Sequence, residues 1–218
     1  MARDVSLLAI RTEIVNTGGY KNSPVFTALV LNAWINRAIA RVYDLVWEAD
    51  NDYYTDETNL PTIAGNDAVA LPLTFKKLIG LARQDGNDYR QLRRMRQHEW
   101  IRWEGQSGAP THYRLQRGNI RLAAKPDAIY SLRLYYLPVA PTLVVDGDTF
   151  DSIDYFDELV IAYVLKKCAG RDERQLGELK IEIDELEKNI RKRADGRDAG
   201  EPLYLADLSD NSDDEGFW

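Results

Sequence analysis

The chain has almost no cysteine and almost no histidine, the residues that form disulfides and bind zinc. Its 218 residues include one cysteine and two histidines. A single cysteine excludes an intrachain disulfide, and Cys168, His98 and His112 lack the spacing of a zinc site. No apolar run approaches the roughly 18 residues that a membrane span needs. The sequence therefore predicts a soluble protein, with no membrane contact, of a reducing compartment or of a particle assembled in one.

The motifs of common enzymes are missing as well. The sequence contains no GxxxxGK[ST] loop, no GxGxxG after a strand and no GxSxG elbow. An aspartate-rich stretch beginning at Asp146 resembles the start of a calcium loop. However, Phe150 stands where such a loop needs an oxygen ligand, and Asp151 stands where it needs glycine. We therefore predict no catalytic residues, no cofactor and no bound metal.

Charge is distributed unevenly along the chain. The net charge is −7, but residues 76–125 hold twelve Lys or Arg against four Asp or Glu, a net charge of +8. Residues 195–218 hold eight Asp or Glu against one Arg, a net charge of −7. A basic middle and an acidic end predict partners of opposite charge, or an end that folds back on the body.

Helical periodicity predicts two helices before residue 50. The first is expected from Val5 to Asn16, with Asp4 as its N-cap. The second is expected to start with Ser23 as N-cap and Pro24 at the first helical position, and to reach about Glu48.

Two more helices are expected after residue 150. Asp154 is placed to cap the first of them. The second carries an apolar seam with spacings of three and four, which predicts packing against the second N-terminal helix. The seam residues are Leu176, Leu179, Ile183, Leu186 and Ile190.

The middle of the chain reads as antiparallel β-structure. Residues 112–136 alternate apolar and polar side chains, with a tight turn expected at Gly118-Asn119. The pattern predicts one half-buried sheet whose apolar face rests on the helices. The overall expectation is an α+β fold: mainly an α-helical bundle with an inserted antiparallel β-rich module and an extended acidic C-terminal tail. The expected segments are N-terminal helices 1–50, β module 51–145, C-terminal helices 146–196 and tail 197–218.

A cluster of arginines lies between residues 90 and 102, interleaved with aromatic side chains. It could be a solvated face that pairs with the protein's own acids, a surface for an acidic protein partner, or a phosphate-binding patch. The net acidity argues against a dedicated DNA-binding protein. The cluster consists of Arg90, Arg93, Arg94, Arg96 and Arg102.

The acidic tail is mostly polar but also contains several large apolar residues. It is either a solubilising end or a segment that docks on a partner, because buried aromatic side chains make strong anchors. The docking candidates are Leu203, Tyr204, Leu205, Leu208, Phe217 and Trp218.

The stretch from Gly108 to Leu143, "GAPTHYRLQRGNIRLAAKPDAIYSLRLYYLPVAPTL", resembles a segment of the adaptor (head-completion) proteins of tailed bacteriophages. Its features are G-x-P-x-x-Y, a hairpin with glycine, an aliphatic strand and an L-x-L-Y-Y strand that ends near proline. At the corner where relatives often have Pro-x-Pro, this chain has "AKPD". The order of helices, β insertion and helices fits the same family over about residues 20–170.

The resemblance implies a structural virion protein of the phage neck, assembled in the host cytoplasm. By this resemblance, twelve copies of the chain would form a ring beneath the portal, extend the DNA channel and connect the capsid to the next neck or tail component. The implied partners are the portal ring, which the C-terminal tail segment would reach, copies of the chain itself and a downstream neck or tail protein, while DNA passes without sequence-specific binding. In such a ring, the arginine cluster between residues 90 and 102 and acidic residues elsewhere would be the two patches that meet between neighbouring copies. The alternative is another neck or packaging component, such as a stopper, a tail terminator or a small terminase subunit.

Overall fold

The computed structural model describes residues 4–49, 53–103, 105–152, 156–171 and 177–195, with side chains up to residue 192. The fold is α+β. The helices are α1 Leu7–Gly18, α2 Ala28–Ala49, α3 Gln97–Trp100, α4 Phe156–Arg171 and α5 Gly177–Asp195. The strands are β1 Asp4–Ser6, β2 Asp56–Pro61, β3 Ala68–Ala70, β4 Phe75–Asp85, β5 Asp88–Gln91, β6 Arg93–Arg94, β7 His112–Gln116, β8 Asn119–Ala123, β9 Ser131–Pro138 and β10 Thr149–Asp151.

The first helix begins two residues later than the sequence predicts. Ser6, not Asp4, is its N-cap, and the Ser6 hydroxyl accepts a hydrogen bond from the Ala9 N–H. Residues 4–6 form β1 instead and pair antiparallel with β10, Val5 lying opposite Phe150. The helix prediction failed here because an apolar residue pairing with a strand far along the chain has no local signature.

The second helix also begins later than predicted, at Ala28. Ser23 does accept hydrogen bonds from the N–H groups of Val25 and Phe26, but these belong to a turn before the helix. Thr27 takes the capping role, because its side-chain oxygen faces the N–H of Val30 at 3.5 Å. Ser23 thus accepts hydrogen bonds from the backbone as a cap does, but the helix itself begins after Thr27, four positions later.

The β module contains two four-stranded sheets, so the prediction of one sheet resting on the helices is wrong. The sheet orders are β2-β9-β4-β5 and β3-β8-β7-β6. β9 does not continue the β7–β8 hairpin; it pairs with β2 and β4 in the other sheet. Side chains of both sheets form one apolar cluster, here called the β core. It includes Val69, Leu81, Leu92, Tyr113, Ile120, Leu122, Leu132, Leu134 and Tyr136.

The hairpin between β7 and β8 turns at Arg117-Gly118, one residue before the predicted position. Both residues have positive φ, 47° for Arg117 and 73° for Gly118. That is the backbone of a type I′ turn, whose twist suits two-residue hairpins. Asn119 already lies in β8, opposite Gln116.

Helices α1, α2, α4 and α5 enclose a separate apolar cluster, here called the bundle core. Ile183 and Ile190 of the predicted seam are buried in it, and Leu179 and Leu186 pack against it. The seam therefore packs within the chain, against α2 as predicted and also against α4. Leu176 and Asp154 lie outside the described residues. None of the described helices has the length and apolarity to cross a membrane.

The segment leading from the β module to β10 is tied to the bundle by side-chain amides and carboxylates. Asn36 of α2 donates to the carbonyl oxygen of Leu143 at 2.9 Å and accepts from its N–H at 2.8 Å. Asp146 pairs with Arg11 at 2.8 Å. Asp148 accepts from the N–H groups of Val144 and Val145, which lowers the pKa of its carboxyl. The aspartate-rich stretch thus makes a turn of its own.

Replacing Asp148 by alanine is expected to lower the thermal stability of the protein at neutral pH, because two backbone N–H groups lose their acceptor. The carboxyl has a lower pKa in the folded than in the unfolded state, so its contribution is present above the ordinary aspartate pKa of about 3.9 and disappears as the pH falls through the folded-state value. The difference in melting temperature between wild type and Asp148→Ala should therefore shrink on acidification. A difference that stays constant down to low pH would contradict this.

Candidate interaction surfaces

The predicted arginine cluster lies in the β module, around β5, β6 and α3. All five of its side chains are exposed. β6 contains only Arg93 and Arg94 and pairs parallel with the start of β7. It is held by backbone hydrogen bonds from Arg93 N–H to the Thr111 carbonyl (3.1 Å) and from Met95 N–H to the Tyr113 carbonyl (2.8 Å). The buried side chain of Met95 anchors the segment from below.

Neighbouring strand residues point in opposite directions, and Arg93 and Arg94 accordingly line two different clefts. The first cleft has a volume of about 660 Å³ and is lined by Arg94, Arg96 and Arg114 together with Met95, Gln97, Leu115 and Gln116. Arg114 stacks on the ring of Trp100, with its guanidinium carbon 4.6 Å from the ring centroid. Its nitrogens donate to the side-chain oxygens of Gln97 and Gln116. These contacts hold the Arg114 guanidinium in one position in the wall of the first cleft.

The second cleft is smaller, about 320 Å³, and is lined by Arg83, Arg90 and Arg93 together with Pro110, Thr111 and His112. Arg83 is buried, and one guanidinium nitrogen donates to the carbonyl oxygen of Pro110 at 3.1 Å. Arg90 pairs with Asp85 at 2.6 Å. The Asp85 carboxylate also lies 3.8 Å from Arg83. Part of the charge in this cleft is thus neutralised.

Arg90 forms an ion pair with a carboxylate of the same chain, but among the described residues the other four arginines of the cluster do not. Within the described ranges, Arg93, Arg94, Arg96 and Arg102 have no carboxylate within ion-pair distance. Arg102 lies in a short 3-10 turn, Ile101–Trp103, and lines neither cleft. An exposed group of cations that the protein leaves uncompensated is available to an anionic partner.

Arg83 and Arg114 belong to these clefts although the sequence did not indicate them. Arg114 comes from the hairpin, and only the parallel pairing of β6 with β7 brings it beside Arg94 and Arg96. Parallel pairs join segments separated by long connections, so no local pattern could have found it. The tail residues proposed for docking lie outside the described residues; they are Leu203, Tyr204, Leu205, Leu208, Phe217 and Trp218.

One flank of α5 is acidic. Glu178, Glu182 and Glu185 follow a spacing of four and three, which places them on one side of the helix. All three are exposed, as is the neighbouring Ile181. In the described part of the chain none of the three glutamates pairs with a cation. This acidic flank of α5 is opposite in charge to the arginine clefts.

The comparison with protein families decides the class of the chain. A family model described as SU10 adaptor protein matches residues 5–205. The chain belongs to the SU10 adaptor protein family. No curated protein matches the sequence significantly.

The matched residues of this adaptor run from β1 past the end of α5, so they include both cores and both arginine clefts. Family membership supports a phage adaptor protein with a structural role, as the resemblance of residues 108–143 predicted. It also supports a place in the virion for this adaptor.

Proposed function

We propose that this chain is a head-to-tail connector subunit that forms a ring of twelve copies beneath the portal. In this function the ring extends the DNA channel and links the capsid to the next neck or tail component. The portal ring, neighbouring copies and a downstream neck or tail protein are its partners, and it performs no catalysis. The family match over residues 5–205 is the observation that carries the proposal.

A ring of identical subunits needs a heterologous interface, in which one patch of a subunit meets a different patch on the next. The arginine clefts and the acidic flank of α5 are two such patches. The clefts hold uncompensated arginines, while the flank holds Glu178, Glu182 and Glu185. The two patches lie on different parts of the molecule, the clefts on the β module and the flank on the bundle. We propose that each interface of the ring joins one arginine cleft of a subunit to the acidic flank of α5 on its neighbour.

Charge reversal at Arg93 and Arg94 is therefore expected to weaken ring assembly on the portal. Like charges facing each other across an interface cost several kcal/mol, so the double variant should reduce the recovered ring by at least about tenfold under limiting subunit concentration. Native mass spectrometry of the portal–adaptor complex measures both the loss and the copy number. Single reversals at Arg93 and at Arg94 then show which cleft faces the neighbouring subunit.

A matched double variant, Lys125→Glu with Lys180→Glu, makes the same change of net charge at exposed positions outside the clefts. It should assemble as the wild type does. Reversal of Glu182 and Glu185 to lysine should weaken assembly by itself and restore it when combined with the arginine reversals, because every interface then carries swapped charges. Normal assembly of the arginine double variant would refute the proposed interface, whereas a different copy number would refute the twelve-subunit ring.

A further inference from the structure

A groove of about 370 Å³ runs between α2 and α4 on the helical bundle, away from the arginine clefts. That volume is at the lower end of the range of ligand pockets, roughly 300–1,000 Å³. The half-buried ring of Trp34 and the ring of Tyr163 line it together with four cations. The cations are Arg37, Arg41, Lys166 and Lys167.

Two cations also lie near the ring of Trp34. The Nζ atom of Lys167 lies 6.0 Å from the ring centroid, and the guanidinium carbon of Arg171 lies 5.9 Å from it. Both distances are near the limit of a cation–π contact, about 6 Å. The groove therefore combines an aromatic surface with a basic rim.

Little of this charge is neutralised within the chain. Arg41 is bonded to Tyr163 and lies near Glu187 and Glu48, which raises the pKa of its guanidinium. The Tyr163 hydroxyl in turn donates to Glu187 at 2.6 Å. In contrast, Arg37, Lys166 and Lys167 have no carboxylate within ion-pair distance among the described residues. The groove thus suits an occupant that is both acidic and aromatic.

We propose that the acidic segment 197–218 of the same chain occupies this groove in the free subunit. The segment contains seven Asp or Glu and one Arg, and near its end the sequence "DDEGFW" places Phe217 and Trp218 directly after acidic residues. In the proposed complex an aromatic side chain of this segment covers Trp34. Its carboxylates pair with the free cations of the rim.

The segment is long enough to reach the groove. The described chain ends with α5, whose last turns lie beside the end of α2, because Arg191 contacts Glu48 at 3.4 Å. Trp34 is fourteen residues from Glu48 along α2, roughly 21 Å at 1.5 Å per residue. The eighteen residues from Asp195 to Asp213 span up to roughly 60 Å when extended.

An occupied groove would shield the aromatic residues of the segment before the subunit meets a partner. The interaction concerns the free subunit and does not depend on the proposed ring. A segment held in this way must leave the groove before another protein can bind it, so the groove and the partner compete for the same residues.

Paramagnetic relaxation in the full-length protein tests the proposal. A spin label is attached at Ser212→Cys, while the native Cys168 is fully buried and is not expected to react. The indole N–H signal of Trp34 should lose more than half of its intensity relative to the sample with reduced label. The signals of Trp100 and Trp103 in the β module should keep theirs. An unchanged Trp34 signal would overturn the proposal.

Two further samples identify the cause of any loss. Reversal of Arg37 and Lys167 to glutamate should restore the Trp34 signal, whereas the matched reversals at Lys125 and Lys180 should not. A mixture of spin-labelled, isotopically unlabelled chains with ¹⁵N-labelled chains lacking the label should show no loss at Trp34. Equal loss in that mixture would assign the groove to another copy's segment and overturn the own-chain occupant. Loss that survives the groove reversal would overturn the charge argument.

Discussion

Replacing Phe156 by alanine is expected to destabilise the helical bundle by about 3–5 kcal/mol, the cost of removing a large aromatic side chain from a packed core. Phe156 is completely buried at the start of α4 and belongs to the bundle core. The β core contains none of the same residues. Contacts between the two parts include exposed polar ones, such as the ion pair of Lys76 with Asp44 and the stacking of Lys77 on Trp47. The effect should therefore remain largely within the bundle.

Hydrogen exchange measured by mass spectrometry resolves where the stability is lost. In Phe156→Ala, protected amides of α2 and α4 should exchange on the order of 100- to 5,000-fold faster, while those of β4 and β9 change little. Leu134→Ala is the mirror-image control, since Leu134 is completely buried in the β core. That variant should accelerate β4 and β9 and spare the helices. Equal acceleration of both parts by either substitution would show that the two cores unfold as one unit.

Replacing both Phe217 and Trp218 by alanine is expected to remove most of the affinity for the portal. Apolar anchors of this kind typically contribute at least about 2 kcal/mol each when they are buried at an interface. Adding the two contributions predicts binding that is weaker by about 1,000-fold or more. A pull-down of full-length protein on immobilised portal, followed by a titration, measures the change. Circular dichroism and thermal melting of the same variant check that it folds as the wild type does.

Two control variants test whether the loss of affinity is specific to Phe217 and Trp218. Ser209→Ala with Ser212→Ala alters the same tail without touching its apolar residues and should bind normally. The groove variant Arg37→Glu with Lys167→Glu should bind the portal at least as well as the wild type, because a released tail is more often free to bind. Undiminished binding of the Phe217 and Trp218 variant would exclude these residues as the portal anchor.

The sequence predicted the type of most elements but not how distant ones pair. The seam of α5 was correctly assigned to packing within the chain because its apolar spacing is a local property. The first residues of α1 and α2 were misplaced, since several hydroxyl or acidic residues competed as caps and tertiary contacts decided between them. β9 was correctly identified as a strand, yet its partners β2 and β4 lie far away in the chain. An alternating pattern shows which face is buried but not against what.

The sequence also predicted only those parts of the candidate surfaces that are local in the chain. Local crowding of arginine was enough to find Arg93, Arg94 and Arg96, but Arg114 joins them only through the pairing of β6 with β7. The groove was missed because its two walls come from helices more than a hundred residues apart in sequence. Trp34 matches the apolar spacing of α2, which predicts a core residue. The structure instead leaves its ring half exposed beside Lys166 and Lys167.

The split between the two cores has a consequence for synthesis on the ribosome. The bundle core takes residues from both sides of the β module, from Val5 to Val46 and from Leu143 to Ile190. The β core lies entirely between Val69 and Tyr136. Because translation proceeds from the N-terminus, every residue of the β core leaves the ribosome before α4 does. The β module can therefore fold during translation, whereas the apolar faces of α1 and α2 remain exposed until α4 and α5 emerge.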